Sequence, residues 1–97
     1  MNIEISPKEY ERELNWNDGM MYCQLLVIDN KNDWRLPTTE ELNYIYNSKN
    51  DFVGSYYWSS TKALSSYAWL QGFSDGGQSS LTNTKGFSYY VRAVRSL

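Results

Sequence analysis

Apolar positions in this chain follow two periods in succession. Up to about Asn47 they recur every three to four residues, and from Tyr56 onward they alternate or cluster in short runs. The first pattern is that of helices with one buried face, the second that of strands. Between Asn15 and Ile28 the apolar residues Trp16, Met20, Cys23, Leu26 and Val27 fall at helical spacing and predict a first helix. Asn15 or Asn17 supplies the oxygen that caps its first turn. Gly19 within this stretch weakens it by about 1 kcal/mol relative to Ala. A second helix is predicted from Thr38 to Asn47, with Leu42, Ile45 and Tyr46 on one face. Its start is marked by Pro37 and by Thr38 with Glu41 three residues on, the reciprocal capping box.

Strands flank these helices. Ile3-Glu4-Ile5 alternates before Pro7 stops it and reads as a short edge strand. Tyr56 to Thr61, Ala68 to Phe73, Gln78 to Thr82 and Ser88 to Val94 are rich in aromatic and β-branched residues and read as an antiparallel meander. Ser74-Asp75-Gly76-Gly77 carries the Asp-Gly hairpin signal between the second and third of these, and Asp29 to Asp33 is a polar turn. The pattern defines an α+β fold, two helices packed on a small antiparallel sheet, within a single domain spanning residues 1–97.

Composition narrows the chemistry. A chain of 97 residues with four Trp and nine Tyr can fill one core with aromatic bulk and needs no staple. Nine basic against 11 acidic residues leaves a net charge of -2, which lacks the cationic excess that nucleic acid demands. Cys23 is the only cysteine and there is no histidine, so an internal disulfide and the usual zinc ligand sets are excluded. Cys23 reads as a buried small hydrophobe. No window reaches the roughly 18 apolar residues of a membrane span, and the N-terminus shows no Sec-type signal, so the expected location is a virion or the cytoplasm.

Three strings in order carry a family resemblance: Asp33 to Thr38, Tyr57 to Thr61, and Tyr90 to Arg95, joined by Leu14 to Trp16 with Met21 to Cys23 and by Ala68-Trp69 with Asp75-Gly76. Together they resemble the C-terminal domain of the Legionella collagen-like protein, a domain of unknown function related to the C-type lectin fold. The resemblance covers about residues 14 to 95 and implies that the N-terminal strand lies beside Tyr90 to Val94. It also implies a domain that presents loops to a partner, with attachment to a trimeric collagen-like stalk as one setting. The same broad fold serves lectins, sulfatase-modifying enzymes and the receptor-binding proteins of phages and bacteria, so the residues must select among them.

They select against catalysis and metal. Ser59 and Ser60 have no histidine to activate them, and a dyad with Lys62 is outweighed by the local hydrogen bonding that adjacent strand serines usually make. The calcium-lectin loops Glu-Pro-Asn and Gln-Pro-Asp are missing, and Trp16-Asn17-Asp18, which resembles a lectin strand string, falls within the predicted helix. Asp75 alone cannot supply the oxygens that calcium requires. No catalytic residue, metal or cofactor is expected. Arg35 and Arg92 read as structural, Arg35 with Glu40 or Glu41, and Trp34 and Trp58 as core.

The surface runs Lys62 to Tyr67 and Asn83 to Phe87 remain. Tyr, Ser, Asn and Gly interleaved make adaptable recognition surfaces, although the same small residues also build solvated turns. Lys62, Tyr67, Asn83, Lys85 and Phe87 are therefore the candidate ligand-binding residues. The expected partner is a protein or a glycan, bound without metal, in a phage particle or bacterial surface assembly. Alternatives are an intracellular phage effector that blocks a host protein, and a trimeric domain that caps a fibre.

Overall fold

The capping box predicted at Pro37-Thr38 is formed. In the computed structural model, which describes residues 1–48, 51–64, 66–83 and 86–97, the Glu41 amide donates to Thr38 Oγ1 at 3.1 Å and the Thr38 amide to Glu41 Oε1 at 2.8 Å. The side chains of residues 64 and 81–83 lie outside that description. In chain order the elements are β1 (Ile3–Ile5), a 3-10 turn (Lys8–Tyr10), β2 (Arg12–Leu14), α1 (Trp16–Leu25), α2 (Thr39–Asn47), β3 (Tyr56–Leu64), β4 (Tyr67–Gly72), β5 (Gln78–Asn83), β6 (Tyr89–Val91) and β7 (Val94–Ser96). The α+β class read from the pattern is the observed one.

Three details differ. Helix α1 stops at Leu25 instead of reaching Ile28: Leu26 is extended at ψ 132°, and Asp29 and Asn30 then adopt positive φ of 51° and 66° in a tight turn. There the amides of Ile28 and Lys31 donate to each other's carbonyls at 3.1 and 2.9 Å. Leu26 and Ile28 still pack with the core, but from outside the helix. Strand β2 was not predicted: Arg12-Glu13-Leu14 has one apolar residue and becomes a strand only by pairing with β6.

The run Ser88 to Val94 is not one strand of a meander. It splits into β6, which lies parallel to β3 with Tyr90 opposite Tyr57, and β7, which leaves for a separate two-stranded sheet with β1. The five-stranded sheet is therefore mixed, in the order β2-β6-β3-β4-β5. The termini pair as expected, but β1 meets Val94 to Ser96, not Tyr90 to Val94. Arg35 holds the other edge of Val94 by two backbone hydrogen bonds of 2.8 Å.

The five-stranded sheet is covered on both faces. Successive side chains of β3 and β6 point to opposite sides, so Trp58 and Val91 join Trp16, Cys23, Trp34 and Leu70 under α1, while Tyr57 and Tyr90 join Leu42, Ile45, Phe52 and Val94 under α2. The three buried indoles each keep a hydrogen bond: Trp16 donates to the Ser59 carbonyl at 2.8 Å, Trp58 to Leu14 at 2.9 Å and Trp34 to Lys31 at 3.1 Å. Gly19, the weak point of α1 by propensity, is where the helix approaches the sheet, and a Cβ there would stand 2.7 Å from Val91 Cγ2. Gly76 turns the β4–β5 hairpin at φ 81°.

Candidate functional site

The charged side chains inside and around the frame are largely engaged with one another. Arg35 grips Glu41 with two bonds of 2.7 and 2.8 Å, so Glu41 and not Glu40 is its partner. The Arg35 guanidinium holds the Glu41 carboxyl below its ordinary range, against the opposing pull of burial. Arg92, with 3 % of its side chain exposed, donates Nε to the Ser6 carbonyl at 2.7 Å and Nη2 to Asp51 at 2.9 Å. Its Nη1 stands 3.5 Å from Glu11 Oε1 without a hydrogen bond, and its guanidinium lies 4.8 Å from the Phe52 ring centroid. Glu11 takes its short bond, 2.7 Å, from the Tyr57 hydroxyl, which in turn accepts from the Gly54 amide. Arg95 spans Asp33 and Glu4 at 2.7 and 2.9 Å.

Cys23 is closed off by burial and Ser59 by hydrogen bonds, while the buried Ser6 hydroxyl has no hydrogen-bond partner among the described residues. Cys23 is fully buried, and burial pushes its thiol up to about 12. Ser59 donates its hydroxyl to the Trp69 carbonyl at 2.8 Å and accepts from the Thr61 amide at 3.0 Å, while Lys62 Nζ lies 5.5 Å from the Trp16 ring centroid. Trp16-Asn17-Asp18 opens α1, with Asn15 as the cap that accepts from the Asp18 amide at 2.9 Å. Among the described residues no three His, Cys, Asp or Glu are grouped as a metal ion would need, and no enclosed pocket is formed.

The candidate binding residues fall into two places. Lys62, on β3, pairs with Ala68, and Tyr67, the partly exposed first residue of β4, pairs with Asn83 at the end of β5. These three share one end of the β3-β4-β5 hairpins. The Asn83 side chain and all of Lys85 lie outside the described residues. Phe87 stands elsewhere. Its ring, 55 % exposed, stacks beside Tyr89 at 6.4 Å, and Tyr89 packs edge-on against Tyr56 at 5.6 Å and Trp58 at 5.2 Å.

Phe87 thus belongs to a row with Tyr89 and Tyr56, the latter 44 % exposed. The row ends at Gly72, directly across from Tyr56, where a Cβ would lie 3.2 Å from both Tyr56 Cε1 and Asp75 Oδ1. The carboxylate and the ring edge flank one notch. Sequence reasoning assigned Tyr56 and Tyr89 to strands without seeing them as surface. The signal was the consecutive aromatics Tyr56-Tyr57-Trp58 and Tyr89-Tyr90, whose period of two puts Tyr56 on the same face as the buried Trp58.

Such a frame, with two helices on opposite faces of a mixed sheet, braced arginines and an aromatic row at the surface, is that of a small α+β scaffold. The chain matches the Lcl C-terminal domain over residues 4–95 and belongs to that family. Membership is compatible with a binding or structural module. No curated protein matches the chain, and no helix among the described residues is long and apolar enough to cross a membrane.

Proposed function

We propose that this domain is a non-enzymatic recognition module, related to the C-type lectin fold, that binds a protein or glycan through its surface loops without metal. The setting we favour is a phage virion or a bacterial surface assembly. The observation that carries the reading is the contrast between engaged and open groups: arginines, Cys23 and Ser59 are tied into the frame, whereas Tyr56, Tyr67 and Phe87 remain at the surface. Tyr and Phe offer contact area at low entropic cost.

The test is to screen the labelled chain against arrays of glycans and of extracellular proteins. A genuine hit should weaken about tenfold or more in the Tyr67→Ala/Phe87→Ala double variant, with the melting temperature nearly unchanged. A hit that the double variant leaves intact removes these residues from the account. Substrate turnover that disappears with one polar side chain would overturn the non-enzymatic reading itself.

A structural, self-associating role has its own support. Met21, Leu25 and Val27 lie on and just past α1 with 59, 73 and 60 % exposure, a set of apolar side chains that a second copy could cover. A trimer in light scattering that dissociates in Leu25→Glu would favour the fibre-capping reading; a strict monomer would remove it.

A further inference from the structure

We draw no further inference here: the strongest candidate, the surface patch of Phe87 and Tyr56 on the five-stranded sheet, rests on two exposed rings alone, and nothing in the structure shows what covers it.

Discussion

Arg92 and Arg95 come from one terminal string, and each has two carboxylates within ion-pair distance, yet the two sites differ in what water can reach. Arg92 keeps 3 % of its side chain exposed and lies between Glu11, 11 % exposed, and Asp51, 56 % exposed, with the Phe52 ring against its guanidinium. Arg95 keeps 17 %, and its partners Glu4 and Asp33 are open to solvent at 37 and 55 %. Counting charged contacts alone would rank them the other way, since Arg95 makes short bonds to both of its carboxylates and Arg92 to one, Asp51, with Nη1 left without a hydrogen bond. Burial decides instead. Removing one partner of a buried pair strands the other charge, while an open pair is replaced by water.

The sharpest way to break this comparison is Arg92→Ala. It leaves Glu11 buried with only the Tyr57 hydroxyl, and should cost about 3–5 kcal/mol in urea unfolding. A loss no larger than that for Arg95→Ala would show that burial does not separate the sites. Glu41→Ala sits between the extremes. It removes both the Arg35 fork and half of the α2 capping box, for an expected loss of about 2 kcal/mol in the same assay. Arg95→Ala should cost the least of the three, and less still at high salt.

The smallest effect is read in acid. Glu4, Asp33 and Glu41 all have lowered carboxyl pKa values, chiefly through hydrogen bonds from Arg95, Arg95 and Arg35 respectively. A carboxyl lowered on folding contributes stability that is complete above its ordinary range and is lost as pH falls through the lowered value. Stability should therefore fall on acidification below the ordinary carboxyl range. In Arg95→Ala the slope should be shallower, because Asp33 loses its hydrogen-bonded partner and Glu4 keeps only Lys31 at 3.3 Å, while Glu41 is untouched. An unchanged slope in that variant would mean that Arg95 does not hold the two surface carboxylates in solution.

What the sequence made legible was local. The capping box, the Asp-Gly hairpin and the Asn15 cap each depend on residues within four positions of one another, and all formed. The Arg35 partner was narrowed to two adjacent glutamates for the same reason. Strand β2 was invisible because its partner, β6, lies far along the chain and its own three residues hold no alternation. The parallel pairing of β6 with β3 was equally hidden, since a period of two states which face a residue takes but not the direction of its neighbour. At the surface, Tyr67 and Phe87 could be picked as aromatics among small polar residues. Tyr56 and Tyr89 could not, because a strand period states which face a residue takes and not how much of that face is covered.

The pairing of β1 with β7 brings the two chain ends side by side, with the Leu97 amide donating to the Asn2 carbonyl at 3.0 Å beyond the Ile3–Ser96 pair. Tension applied between those ends would meet the hydrogen bonds one rung after another, as in a zipper, and not all together. The domain would resist pulling weakly in that direction. The same closeness suits it to insertion in a host loop, since the gap it opens there is only one strand spacing wide.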